Sequence, residues 1–291
     1  MGMCLSAAQF DLFVTANLVG ATVAYAWGVR RVRRERGWRW PRWQTACFMS
    51  GMTLLAVAYL GPVTAWEHTF FWVHMTQHLI VMMAAAPLIV LGAPVSLVFF
   101  ASGAANRRRT VRVLRSPVAR IATDPVVTWI VFAAVLVGAH FTPFYDWALS
   151  NHGVMVMVEQ PVFLGAALLY YLPLIGTNLL PRRPSHGVRL LSLGLMMIPE
   201  ATIGAAICFA PVILYDSYDT IRPFGLDASH DQKLAGALMW GLVMVVDSFW
   251  MMWVAYDWFS SEERRARRED AAIARERGSS PSAAQGGEAS G

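Results

Sequence analysis

Two histidines in an otherwise apolar stretch are the residues of this sequence best suited to chemistry. The stretch runs from Phe71 to Ala101, and His74 and His78 lie near its start, four residues apart. Four residues are about one helical turn, so both imidazoles project from one helix face, which Met82 extends by another turn. Imidazole and thioether groups both bind copper, and thioethers favour Cu(I). Because ionisable side chains inside a membrane helix usually mark a functional site, the pair predicts a metal site. The alternative is a pair of interfacial histidines that bond to loop backbone.

The composition places this stretch in a polytopic membrane protein. The chain has 291 residues, of which 56% are apolar and 15% are charged, whereas soluble proteins average about 25% charged residues. Apolar runs of about 20 residues recur along the chain, and each is long enough to cross a bilayer. The predicted fold class is therefore all-α, a polytopic membrane helix bundle with seven transmembrane helices. The approximate ranges of the predicted spans are 9–29, 43–63, 71–101, 125–144, 153–174, 190–213 and 233–258.

The distribution of basic residues predicts the orientation of the chain. With seven spans, 22 of the 24 Lys and Arg residues fall on one side, in segments 30–42, 102–122, 176–189 and after 257. By the positive-inside rule this side is cytoplasmic, which puts the N-terminus outside and the C-terminus in the cytoplasm. We expect a seven-helix membrane domain over 1–259 and a charged, largely disordered cytoplasmic tail over 260–291. The charged start of this tail is a possible helix, and its end, rich in Gly, Ser and Ala, is the part expected to be disordered. The arginine runs are interpreted as topogenic segments at the lipid bilayer, and no nucleic acid is expected as a partner.

This topology gathers most of the histidines on one face of the membrane. Six of the seven histidines lie on the side away from the cytoplasm. Those at the outer ends of the third, fourth and fifth spans are His74, His78, His140 and His152. We therefore predict a site that imidazoles from three helices build at the outer membrane face, with Met82 as a further metal ligand. Purely interfacial positions for these histidines are the alternative.

Three blocks of the sequence resemble a known family. They read HMTQHLIVMMAAAPLIVLGAPVSL, AHFTPFYDWALSNHGVMVMVEQPVF and HDQKLAGALMW, and they are similar to segments of the multi-pass CtaG-type cytochrome c oxidase assembly factors. The resemblance implies a multi-pass protein of a bacterial-type plasma membrane that helps to mature a haem–copper oxidase by delivering copper. It also implies an oxidase subunit or a copper chaperone as partner. The residues to which it gives a site role are His74, His78, His140, His152, Asp231 and Gln232. It further implies a Glu-His pair where this chain has Glu159-Gln160, and Gln160 is a poor metal ligand.

Other functions are compatible with the same residues. Histidines on facing helices also ligate haem, although two histidines on one helix disfavour opposite axial positions. Glu159, Glu200 and Asp247 lie deeper in the predicted spans. They can orient imidazoles, join helices by hydrogen bonds, or carry ions or protons in a transporter. A scaffold that binds an oxidase subunit without metal is a further alternative. The sequence contains no recognisable catalytic constellation, and we do not expect an enzyme.

Overall fold

Apolar helices make up the part of the chain that the structure describes. A computed structural model describes residues 2–142, 144, 147, 151–219 and 225–279, and the side chains of residues 2–11, 62, 152 and 276–279 are outside this description. Over these residues the chain is all-α and contains no strand, which confirms the predicted class. Six helices are long and apolar enough to cross a membrane. The chain is therefore a multi-pass membrane protein.

Each predicted span overlaps one or more helices of the structure. They are α1 (Gly2–Arg36), α2 (Arg42–Leu60), α3 (Pro62–Trp66), α4 (Phe71–Leu79), α5 (Ala86–Leu91), α6 (Pro94–Ala101), α7 (Ala104–Leu114), α8 (Pro117–Ala122), α9 (Pro125–Phe141), α10 (His152–Val154), α11 (Gln160–Leu174), α12 (His186–Phe209) and α13 (Ala228–Ser279). Two π-helical turns, Ile80–Ala85 and Met155–Glu159, join α4 to α5 and α10 to α11, and a 3-10 turn covers Asp216–Tyr218.

The predicted fourth span is shorter than the other six. It corresponds to α9, an apolar helix of 17 residues. At 1.5 Å per residue this helix is about 25 Å long, whereas the hydrocarbon core of a bilayer is about 30 Å thick. The count of seven transmembrane helices and the orientation of the termini therefore stay predictions.

The predicted third span is interrupted near its end. Ala93 has left-handed backbone angles, with φ 52° and ψ 49°, and α6 begins at Pro94. Proline cannot continue the hydrogen-bond ladder, and it disfavours helical angles in the residue before it. The Tyr25 hydroxyl donates to the Gly92 carbonyl oxygen at 2.8 Å. The Asn178 side chain accepts from two backbone amides of α6 and donates to a carbonyl of α5. The continuous helix therefore covers residues 71–91, which is long enough to cross the membrane.

The last helix extends well past the predicted end of the membrane domain. α13 continues to Ser279, so residues 260–279 of the predicted tail are helical. Its exposed end carries the ion pairs Arg265–Glu269 at 3.0 Å and Arg267–Glu263 at 2.6 Å, both with the four-residue spacing that supports a helix. Residues 280–291, on which part of the predicted disorder falls, lie outside the described residues.

The histidine-bearing helix lies at the centre of the bundle. In span 71–101, 72% of the most apolar segment is buried inside the protein, compared with 11% in the first span. Residues 71–91 contact α2, α11 and α13, and the most extensive helix pair is α12 with α13. The central helix is therefore surrounded by protein, so its polar side chains face other helices instead of lipid.

Two glycines allow α12 and α13 to touch through their backbones. A Cβ atom at Gly204 would lie 2.7 Å from the backbone nitrogen of Trp240, and one at Gly236 would overlap the backbone nitrogen of Cys208. Small residues at helix crossings permit this close approach in membrane proteins.

We expect Gly236→Ala to lower the free energy of unfolding by about 1–3 kcal/mol, because the added methyl group forces two backbones apart. Gly241→Ala in the same helix is the matched control, since a methyl group at that position would meet no atom of another helix within 4 Å. Thermal unfolding of the two variants in detergent checks this. Equal midpoints for both variants would contradict the backbone contact.

Candidate metal centre

His74, His78 and Glu159 bring three potential ligand atoms together inside the bundle. His74 Nε2 lies 2.6 Å from His78 Nε2. Glu159 Oε1 lies 3.3 Å from the first nitrogen and 3.2 Å from the second. All three residues are buried. Among the described residues, this is the one group of three or more His, Cys, Asp or Glu side chains whose ligand atoms lie close enough together to hold a metal ion. We call it the His–His–Glu trio.

Both chain segments that supply the trio contain a π-helical turn at the site. The turn Ile80–Ala85 begins two residues after His78, and the turn Met155–Glu159 ends on Glu159 itself. Such turns are rare, and they occur frequently at functional sites because the wider turn changes the direction of the side chains.

A proline and a tryptophan account for one of these turns. Pro87 has no N–H group, so it cannot bond to the carbonyl of Met83 four residues earlier. The Trp250 indole Nε1 donates to that Met83 carbonyl at 3.0 Å. A side chain of α13 thus bonds to a carbonyl that Pro87 cannot reach, and such a bond is favourable in a membrane interior.

Aromatic and acidic side chains hold the histidine pair in place. The ring of His78 stacks on Phe163, with centroids 4.4 Å apart and an interplanar angle of 22°. The first turn of α4 is capped by Asp231, whose Oδ2 accepts from the Phe71 amide at 2.8 Å and whose Oδ1 accepts from the Trp72 amide at 3.0 Å. A carboxylate at a helix N-terminus is stabilised by the helix dipole. α13 and α11 therefore fix both the start of the histidine helix and one of its rings.

The donor set of the trio suits a transition-metal ion. Two imidazole nitrogens and one carboxylate oxygen form a three-ligand site that leaves a position open for another ligand. Ligand atoms 2.0–2.1 Å from a tetrahedral ion would be about 3.3 Å apart, which matches the distances from Glu159 Oε1 to the two nitrogens. The nitrogens would have to separate by about 0.7 Å to share an ion. Glu159 Oε2 has no hydrogen-bond partner among the described residues, so it is available as a further ligand atom.

Two of the predicted ligands lie beside the trio. His140 and Met82 line a cavity of about 30 Å³ together with His78. His140 Nδ1 lies 2.8 Å from the Leu136 carbonyl oxygen. Since a carbonyl only accepts, Nδ1 carries the proton and Nε2 carries the lone pair of the neutral ring. Nε2 is therefore the atom through which His140 would coordinate an ion, and His140 lines the cavity instead of belonging to the trio.

The remaining residues that the resemblance implied have other surroundings. The His152 side chain is outside the described residues, so its role as a ligand stays a prediction. Both carboxylate oxygens of Asp231 accept from backbone amides of α4, and its ligand role likewise stays a prediction. Gln232 accepts from the Leu214 amide at 2.8 Å and donates to the Val212 carbonyl at 3.0 Å. Asp231 and Gln232 thus attach α13 to neighbouring segments.

Glu159 is the member of the trio that the predicted ligand set lacked. The sequence placed it two turns inside its span, with three alternative roles. It is seven residues after His152, as His78 is seven residues after Phe71. In the predicted topology both helices run inward from the outer face, so Glu159 and His78 lie at the same depth. This equal depth was the signal that could have connected Glu159 with the histidine pair.

A second polar cluster lies between α11, α12 and α13. Glu200 lies beside Asp247, and the Tyr171 hydroxyl donates to Asp247 Oδ1 at 3.4 Å. Glu200 Oε2 and Asp247 Oδ2 have no hydrogen-bond partner among the described residues. Glu200 also lines the cavity beside His78. The carboxyl pair is therefore adjacent to the candidate metal centre.

Comparisons with known proteins add independent information. A sequence model of a family described as cytochrome c oxidase caa3 assembly factor matches residues 23–261. An uncharacterized protein of Mycobacterium leprae is 27% identical over 272 residues, which cover 90% of this chain and 41% of that protein. Uncharacterized proteins of Mycobacterium bovis and Mycobacterium tuberculosis are each 28% identical with the same coverage. The chain thus spans about 41% of the length of these curated relatives. No solved structure matches it.

Proposed function

The chain belongs to the cytochrome c oxidase caa3 assembly factor family, and on this premise we propose that it binds copper at the His–His–Glu trio and delivers it to an oxidase subunit. The observation that carries the proposal is the convergence of two imidazole nitrogens and one carboxylate oxygen, at 2.6–3.3 Å from one another, inside a membrane bundle. Ionisable groups at that depth are costly, and a bound cation would compensate for their burial.

The chemistry of the donors favours copper over hard cations. Magnesium and calcium select sites built from oxygen atoms alone, whereas imidazole suits copper, zinc and nickel. Among divalent ions of the first transition row, copper binds most strongly to a given set of nitrogen and oxygen ligands. Haem–copper oxidases require copper for their assembly, so copper is the ion that connects this site with the family.

A three-ligand site is also compatible with release of the ion. Structural metal sites are closed by four protein ligands, whereas a site with three keeps a position open for an incoming group. A ligand atom from an oxidase subunit can therefore coordinate the ion before the ion leaves the trio. We place this transfer at the outer face of a bacterial plasma membrane, on the basis of the charge distribution and the mycobacterial relatives.

The space around the histidines disfavours haem as the ligand. The cavity beside His78 and His140 has a volume of about 30 Å³, which is far smaller than a porphyrin. The rings of His74 and His78 have centroids 4.4 Å apart and approach each other edge to face. Axial haem ligands must instead approach the iron from opposite faces of the macrocycle.

The proposal predicts that Glu159→Ala abolishes copper delivery in the cell. In a host strain that lacks this protein, we expect the wild-type gene to restore the copper content of the purified oxidase and Glu159→Ala to leave it at the level of the deletion. The physical reason is the loss of the carboxylate that both imidazoles contact. Glu35→Ala, at an exposed carboxylate, is the control and should restore copper fully. Full restoration by Glu159→Ala would argue for a scaffold that handles no metal.

A further inference from the structure

A small cavity lined by sulfur-containing side chains lies beside His78. Its volume is about 30 Å³, and its lining includes Met75 of α4, Met82 and Met83 of the following π-helical turn, and Met239 of α13. We propose that this methionine chamber is a second copper position and that it holds the cuprous ion. The proposal rests on the copper function proposed above and gives the oxidation state of the ion that the bundle receives.

The chamber differs from an ordinary packed cluster of methionines. Methionine is flexible and normally fills irregular gaps in a core. Here methionines are four of the twelve residues that line an open gap, beside two histidines, Glu200 and five apolar side chains, and a cavity of this size holds a single water molecule or ion. Thioethers are neutral, soft ligands that select Cu(I) over harder cations. The lining therefore matches the cuprous ion in both size and chemistry.

An acidic side chain gives the chamber a site for positive charge. Glu200 lines it, is 1% exposed, and its carboxyl group is hydrogen-bonded to that of Asp247. Burial of such a group is unfavourable unless a partner compensates for it. Asp247 lies directly beside Glu200. Two carboxyl groups in hydrogen-bond contact share a proton, so the pair supplies at most one negative charge beside the neutral thioethers, and that charge favours a cation over a water molecule.

Two histidines connect the chamber with the trio. His140 offers Nε2 as a lone-pair donor, because its Nδ1 is bonded to the Leu136 carbonyl oxygen. His78 belongs to the trio and also lines the chamber. His78 therefore borders both positions, and an ion that moves between them passes this ring. This arrangement gives His140 and Met82, which lie outside the trio, a common role at the second position.

The test is an anaerobic titration of the full chain in detergent with Cu(I), against a chromophoric Cu(I) chelator, followed by X-ray absorption at the copper edge. We expect the wild-type protein to bind two cuprous ions per chain and to show sulfur neighbours at about 2.3 Å, an ordinary metal–sulfur distance. The double variant Met82→Leu/Met239→Leu should bind one ion and lose the sulfur signal. Leucine nearly conserves the volume of methionine, so the fold should persist. Met52→Leu is the control, because Met52 is buried in α2 and does not line the chamber.

The outcomes separate the two proposals. One ion per wild-type chain with nitrogen and oxygen neighbours alone would overturn the chamber and support the trio. Unchanged stoichiometry and sulfur signal in Met82→Leu/Met239→Leu would also overturn the chamber. A wild-type protein that binds no copper in either oxidation state would overturn both proposals.

Discussion

The double variant His74→Ala/His78→Ala is expected to retain less than about one tenth of the Cu(II) that the wild-type trio binds, because a single carboxylate is left to hold the ion. Both imidazoles lie within 3.3 Å of Glu159 Oε1, so their removal dismantles the site instead of weakening one bond. Cu(II) is the appropriate probe, since thioethers of the methionine chamber prefer Cu(I). Equilibrium dialysis followed by metal analysis measures the bound copper.

Two further variants test whether the loss of copper is specific to the imidazoles of the trio. His74→Gln/His78→Gln retains polar side chains of similar length, and it should lose copper to the same extent without opening a cavity. His230→Ala removes a histidine whose side chain is 69% exposed and pairs with Asp227, and it should bind copper as the wild type does. Copper retained by both double variants would mean that the metal binds elsewhere in the chain.

Removal of the carboxylate of Asp231 is expected to cause the largest loss of stability. Asp231→Ala leaves the buried amide of Phe71 and the partly buried amide of Trp72 without these acceptors. Each orphaned donor costs about 1–3 kcal/mol, so the free energy of unfolding should fall by about 2–6 kcal/mol. Since these amides begin the helix that carries His74 and His78, copper affinity should fall as well. Thermal unfolding in detergent and copper titration measure the two effects.

Asp231→Asn is the matched control for the capping contact. The amide keeps one acceptor oxygen and nearly the same volume, so it can still serve one of the two backbone donors. We expect its melting temperature to lie between those of the wild type and Asp231→Ala. If the alanine variant unfolds at the wild-type temperature, the contact between α13 and α4 does not contribute to stability.

The positions of the helices could largely be read from the sequence. A bilayer forces the backbone into helices and their surfaces to be apolar, so hydropathy alone locates the spans. The break at Ala93 was signalled locally by Pro94, but the surrounding residues are apolar and the stretch is continuous by hydropathy. The length of α9 and the extension of α13 to Ser279 depend on helix ends, where caps and tertiary contacts decide and hydropathy does not.

Only part of the candidate site could be predicted from the sequence. The pairing of His74 with His78 follows from helical periodicity, because both residues are on one helix. The contact with Glu159 depends on how two helices rotate about their axes, and that rotation is set by side chains far from the site. Asp231 meets α4 across 160 residues of chain, so local spacing contains no information on its capping role. Met82 and His140 were predicted beside the histidine pair, and both line the cavity beside His78, but the division of this region into a trio and a chamber depends on the three-dimensional packing of the helices.

The most direct test of the central claim is an anomalous difference map, recorded at the copper edge from crystals of the full chain loaded with copper. We predict a peak within bonding distance of His74 Nε2, His78 Nε2 and Glu159 Oε1, with the two nitrogens further apart than 2.6 Å. Fully loaded crystals with no copper peak between these three atoms, and with the two rings still in direct contact, would contradict the account.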